Sequence, residues 1–175
     1  MEVPIWLERA FCESGRKAGQ EIDFAAFLEP SGPVVAGVGT SLVQVNQDGD
    51  VRVVGLNADT KQSPGPIHAF TMVESGPLRF AIPGSYTPGI IECSGRLWEM
   101  GTQTGPNVCH GVIRGIIWHK EILKVTRPRK DVEYSEGVGY YEGVPISSTS
   151  AIPATTLGAF EFMVELLGPT SQDGA

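Results

Sequence analysis

Cys109 and His110 stand side by side, and His68 and His119 complete the histidines of the chain. A thiol beside an imidazole is the starting point of nucleophilic catalysis, because the base can draw the proton from sulfur. Successive residues of an extended segment point to opposite faces, however, so Cys109 and His110 cannot activate each other within one strand. A working pair needs His68 or His119 delivered by the fold. No Gly-x-Ser-x-Gly elbow, His-Glu-x-x-His pair or phosphate-binding Gly-x-x-x-x-Gly-Lys loop is present. The sequence therefore favours a structural role for all three histidines, and a cysteine-dependent enzyme ranks third among the functional readings.

Oxygen ligands are the next chemistry to weigh. Asn46, Asp48 and Asp50 share one short segment with Gly49, and a calcium ion uses such side chains. The segment lacks the rest of a calcium loop, and hairpin turns recruit Asn, Asp and Gly for backbone reasons alone. Cys12, Cys93 and Cys109 are an odd number at long spacings, which reads as reduced, buried thiols rather than a disulfide framework or a zinc site. No metal or other cofactor is expected. Glu161 and Glu165, four positions apart on an alternating segment, lie about 13 Å apart along a strand by its rise per residue. That is too far for a glycosidase pair, and their face reads as solvated. Glu133 and Glu136 fall on a stretch that reads as loop. The Gly37-Val-Gly39 and Gly137-Val-Gly139 fragments read as turn or strand glycines.

Two surface features carry more weight. Lys120, Lys124, Arg127, Arg129 and Lys130 gather five of the thirteen basic residues into a short stretch. In a chain of net charge −7 such a cluster suits a nucleic acid, a phosphate or an acidic neighbouring subunit; the plainer account is a solvated strand end balanced by Glu121 and Asp131. Tyr134, Tyr140 and Tyr141 bring three of the four tyrosines onto a glycine-bearing stretch. Tyr with Gly gives broad contact at little entropic cost, as protein- and glycan-binding loops use; anchoring of the loop on the core competes with it.

The elements that must position these residues are strands. Gly 22 and Pro 13 among 175 residues are spread along the whole chain, which suits many short strands joined by turns and opposes long helices. Ile22, Phe24, Ala26 and Leu28 alternate with polar or small residues. A hairpin is expected over residues 41–56, with Val43 and Val45 facing Val51 and Val53 and with Asp48-Gly49 supplying the positive φ of the turn. The β-branched run 111–125 reads as central strand. Phe160, Phe162, Val164 and Leu166 alternate with Glu161, Met163 and Glu165, so one face of that strand belongs to the core. Trp6, Leu7, Ala10 and Phe11 after Pro4 allow one short N-terminal helix. Residues 126–156 read as a long loop. The expected fold is all-β, an antiparallel β-sandwich of jelly-roll type with about 8–10 short strands, as one domain over residues 1–175.

The C-terminal run Thr155-Thr-Leu-Gly-Ala-Phe-Glu-Phe-Met-Val-Glu-Leu-Leu-Gly-Pro169 resembles the last strand of the shell domain in coat proteins of small icosahedral RNA viruses. The resemblance covers that segment alone. It implies a jelly roll that assembles with copies of itself into a virion, with the 120–130 cluster facing nucleic acid or a neighbouring subunit. The N-terminus departs from it, because such proteins carry a strongly basic arm and this one is mixed in charge. The main alternative is a glycan- or protein-binding module that uses the tyrosine stretch. Met1-Glu-Val-Pro4 shows no signal peptide. Mean hydropathy near zero and only short apolar runs, such as Gly115-Ile-Ile-Trp118, leave no expected membrane span.

Overall fold

The computed structural model describes residues 1–62, 69–87, 89–100, 108–127 and 136–168; for 58–62, 69, 122–127 and 136–142 the description is of the backbone. The chain is all-β. Its strands are β1 (Glu2–Glu8), β2 (Glu21–Phe24), β3 (Ala26–Pro30), β4 (Val35–Ala36), β5 (Leu42–Val45), β6 (Val51–Gln62), β7 (Ala69–Ser75), β8 (Leu78–Pro83), β9 (Ile90–Glu99), β10 (Cys109–Arg127), β11 (Glu136–Ile146) and β12 (Gly158–Leu166). Two single-turn 3-10 segments, Arg9–Phe11 and Thr149–Ala151, are the helical content among the described residues.

The twelve strands of the described residues join one hydrogen-bonded network in the order β11-β10-β12-β1-β9-β3-β8-β7-β6-β5, with β2 on β10, β4 on β9 and a further β9–β6 pairing. The β9–β6 pairing closes a circuit through β3, β8 and β7. β9 is the shared strand. One of its edges takes β6 along residues 90–95 and then β1 at Trp98, while the other takes β4 and then β3. β2 and β3 are one path interrupted at Ala25, whose carbonyl accepts from Met100 N. Most pairings are antiparallel, but β3 runs parallel to β8 (Ala26 opposite Phe80) and β1 meets β9 in parallel at Trp6 and Trp98. A jelly roll holds antiparallel pairs alone, so these two contacts depart from that pattern.

A single apolar cluster fills the interior, built from Val3, Ile5, Leu7, Leu28, Val53, Phe80, Leu97, Ile113, Phe160, Phe162 and their neighbours. The strand alternation expected for residues 22–28 and 160–166 supplies it directly. The 41–56 hairpin also forms as expected, with Val43 opposite Val53, Val45 opposite Val51 and Gly49 at φ 76°.

The N-terminus is a strand and not a helix. Val3, Ile5 and Leu7 form a period-2 stripe with at most 4% exposure, and burying that stripe outweighs the helical spacing of Trp6, Ala10 and Phe11. Pro4 is tolerated because Leu166 N donates to Met1 O. Hydrogen-bonded pairs with β12 then fall on odd residues, and the missing N–H of Pro4 faces away from the ladder. Residues 126–156 are likewise not one long loop, since β11 returns along β10 from Glu136 opposite Arg127 to Ile146 opposite Ile116. Close approach fixes Gly95, where a Cβ would lie 1.9 Å from the Glu29 carbonyl oxygen of paired β3.

Candidate functional site

The face of β1 opposite the core is where sequence reasoning went furthest astray. Trp6 is only 4% exposed, although it points away from Val3, Ile5 and Leu7. Its neighbours across the sheet are Glu161 on β12 and Trp98 on β9. The turn of the β5–β6 hairpin lies over this face, and the indole Nε1 of Trp6 donates to the Gly49 carbonyl at 3.1 Å. Gly49 has to be glycine twice over: its φ is +76°, and a Cβ would meet Trp6 Cζ2 at 2.8 Å and Glu161 Oε1 at 3.0 Å.

Around the indole sits a set of side chains that could do chemistry. His119 Nε2 lies 2.7 Å from Glu161 Oε2, and the two side chains are 17% and 10% exposed. The imidazole packs on Trp6 with ring centroids 4.5 Å apart. The Arg96 guanidinium sits 4.1 Å from the Trp6 ring centroid, donates from Nε to Asp50 Oδ1 at 3.0 Å, and reaches the Asp48 carbonyl. Trp98 stands 6.2 Å from Trp6 and donates its Nε1 to Glu29 at 2.9 Å.

A carboxylate holding an imidazole is the arrangement a general base uses. Here the pair is enclosed. Trp6 covers the imidazole, and β11 lies so near that a Cβ at Gly143 would be 3.1 Å from His119 Cε1. The arrangement therefore binds three distant segments together: the hairpin turn, β1 and the β10–β12 pair. Glu161 is a correction to the sequence reading, which placed it on a solvated face with Glu165. The hairpin turn buries Glu161 to 8% exposure, while Glu165 is half-exposed and pairs with Arg114 at 2.5 Å.

The turn offered as a calcium loop is closed by its own groups. Asn46 Oδ1 accepts from Asp48 N and Asp50 N at 2.9 and 3.0 Å, and Arg96 occupies Asp50. A second enclosed pair joins Arg16 to Glu99 through two hydrogen bonds of 2.5 and 2.6 Å. Burial alone would lower the Arg16 pKa, but the bond to Glu99 and its charge outweigh it and raise the value.

The cysteines are buried and free. Burial pushes the Cys93 thiol up to about 12. It raises Cys109 as well, against the lowering effect of the Arg79 backbone bond. His110 points away from Cys109 to pair with Asp23 on the surface, as strand alternation requires. His68, Arg129, Lys130, Glu133 and Tyr134 lie outside the described residues. Lys120 is exposed on β10, while Lys124 and Arg127 continue that strand opposite Val138 and Glu136. Tyr140 and Tyr141 belong to β11, opposite Ile122 and Glu121, and so stand on a strand where a loop was expected.

Two of the open surfaces among the described residues bear apolar side chains that a partner or ligand could use. A cleft of about 370 Å³ lies beside Phe11, walled by Phe27, Pro30, Pro83 and Trp98 with Glu8, Glu29 and Glu99. Phe11 itself is 69% exposed. The second is the outer face of β5, β6, β9 and β4, where register sets Leu42, Val54, Glu92 and Val35 in one row and Leu56 beside Ile90 in the next. Leu42, Val35, Leu56 and Ile90 are 38–50% exposed, and Val54 beneath them is buried. Neither family models, nor characterised proteins, nor solved structures give a match to this chain. No helix among the described residues is long and apolar enough to cross a membrane.

Proposed function

We propose that this is a structural all-β domain that works by associating with copies of itself and not by catalysis. The observation that carries the reading is the outer apolar face. Single exposed leucines and valines are ordinary on a soluble protein, but here Leu56 pairs directly with Ile90, and Leu42 and Val35 stand at the two ends of the adjacent row across Val54 and Glu92, on the same face of four adjacent strands. Around them the polar groups are already engaged: Arg52 donates to Glu92 at 2.7 Å and to Gln44 at 2.9 Å. An apolar patch with a satisfied polar rim is what a protein–protein contact has.

A virion coat component is the form of this reading that the C-terminal resemblance supports. It calls for closed symmetric particles, with Lys120, Lys124, Arg127, Arg129 and Lys130 toward nucleic acid or an acidic neighbour. Light scattering behind size exclusion, across protein concentration and salt, tests self-association. A mass that rises with concentration in the native chain, and falls to the monomer in Leu56→Glu with unchanged circular dichroism, is expected. A native monomer under every condition overturns the reading. A second reading, a ligand-binding module, is favoured by the Phe11 cleft, whose volume falls in the range of about 300–1,000 Å³ typical of small-molecule sites. In that reading Tyr134, Tyr140 and Tyr141 remain candidate contacts, and glycan arrays with Tyr140→Ala/Tyr141→Ala and Trp98→Ala variants separate the two surfaces.

A further inference from the structure

We propose that β5 is the edge through which two copies join, pairing antiparallel with its own counterpart across a two-fold axis at Gln44. The inference rests on the self-association reading and names its contact. β5 ends the strand order and pairs with β6 alone among the described residues. Asn46 N donates to Asp50 O at 2.9 Å, so hydrogen-bonded pairs of this hairpin fall on even residues, Gln44 opposite Arg52 and Leu42 opposite Val54. The N–H and C=O groups of Val43 and Val45 therefore point outward, away from β6.

Exposed strand edges are normally blunted by charge, proline or a bulge. Leu42-Val-Gln-Val45 has no charged residue and no proline, and its register against β6 is regular. The electrostatics point to a second copy as the occupant. The chain carries a net charge of −7, which opposes approach of identical molecules, yet residues 30–47 contain no Asp, Glu, Lys or Arg. Residues 143–160 are equally uncharged, but of the two runs only 30–47 holds the whole of a strand at an end of the order, β5, so here like can meet like along an open edge without repulsion.

The geometry is self-complementary. With the axis at Gln44, Val43 of each copy faces Val45 of the other, and all four residues present outward backbone groups, as a hydrogen-bonded pair requires. Val45, 42% exposed, then gains an apolar neighbour on its own face. Gln44 faces its counterpart as a non-hydrogen-bonded pair on the outer face. The pairing leaves the apolar outer faces of both copies side by side, open to a further contact. Continuing a sheet across an isologous edge is a recurring mode of strand addition.

Cysteine trapping tests this arrangement. A non-hydrogen-bonded pair has its Cα atoms about 4.5 Å apart, within the 4.4–6.8 Å of disulfides. All three native cysteines are buried. Gln44→Cys is therefore expected to yield a disulfide-linked dimer under mild oxidation, whereas Ser85→Cys, exposed and outside β5, stays monomeric on a non-reducing gel. Val45→Pro removes only an outward N–H and is expected to lower self-association at least tenfold with an unchanged circular dichroism spectrum. Gln44→Lys, which sets like charges against each other at the axis, is expected to do the same. If the native chain associates but Gln44→Cys fails to cross-link and both other variants associate normally, the edge assignment is wrong and self-association stands. A native chain that is monomeric throughout removes both.

Discussion

Glu99→Ala is the substitution that most directly tests the enclosed ion pairs. Arg16 and Glu99 meet through two hydrogen bonds with side chains 14% and 6% exposed, and the guanidinium lies 5.1 Å from the centroid of the Phe162 ring. The Arg16 backbone is anchored by Thr149, with Arg16 N donating to Thr149 Oγ1 and Thr149 N donating to Arg16 O, each at 2.8 Å, so the side chain starts from a fixed and largely enclosed position. Removing the carboxylate thus leaves a cation with little solvent and no partner, a loss of about 3–5 kcal/mol. For a chain of this size, about 2–4 °C of melting temperature follows each kcal/mol, so a fall of about 6–20 °C is expected. Arg16→Met/Glu99→Leu removes both charges and fills the space with apolar groups; it should recover most of the loss. Urea unfolding of the native chain, the single variant and the double variant measures all three. A single variant within about 1 kcal/mol of the native chain, or a double variant no more stable than the single, would refute the claim that an unpaired buried charge sets the cost.

Other perturbations follow from the same geometry. Trp6→Phe keeps a ring beside His119 and Arg96 but deletes the donor to the Gly49 carbonyl, so a loss of about 0.5–1.5 kcal/mol is expected, with faster amide exchange confined to the turn at 46–50. The Cys93 thiol, pushed up to about 12, binds its proton more tightly folded than unfolded, so its contribution to stability is complete below the unfolded thiol's range and is lost as pH rises through it toward 12. Chemical denaturation of the native chain between pH 9 and 12 should therefore show a steeper alkaline loss than Cys93→Ala; equal slopes would show that the thiol is not the titrating group.

What the sequence made legible was local and one-sided. In the 41–56 hairpin, Val43, Val45, Val51 and Val53 alternate with Gln44 and Arg52, and the Asp48-Gly49 turn fixes the register by itself. The last strand shows the same clean alternation, and its core face is Phe160, Phe162, Val164 and Leu166 as the pattern requires. Legibility failed where a distant segment covers the second face. β1 is buried on both sides along Val3–Leu7, so its period-2 signal is blurred by Trp6 and imitates a helix. Glu161 looks solvated for the same reason: only the fold brings Gly49 and His119 over it. One signal was available for that cluster. A tryptophan out of phase with its strand's apolar stripe, together with a glutamate on the polar face of another, asks what covers them.

The contrast between what is satisfied and what is left open is the basis of the self-association proposed above. His119, Glu161, Arg96, Asp50, Arg16 and Glu99 are the residues whose chemistry would attract a search for catalysis. Each of them is held by another member of the set, and each pair ties together segments far apart in sequence. Among the described residues no buried side-chain polar atom lacks a partner. Among the described residues the groups left open are of another kind. They include the exposed Val35, Leu42, Leu56 and Ile90 on one face of adjacent strands and the outward backbone of Val43 and Val45 on an uncharged edge. In the self-association proposed above, a second copy of the chain would satisfy them.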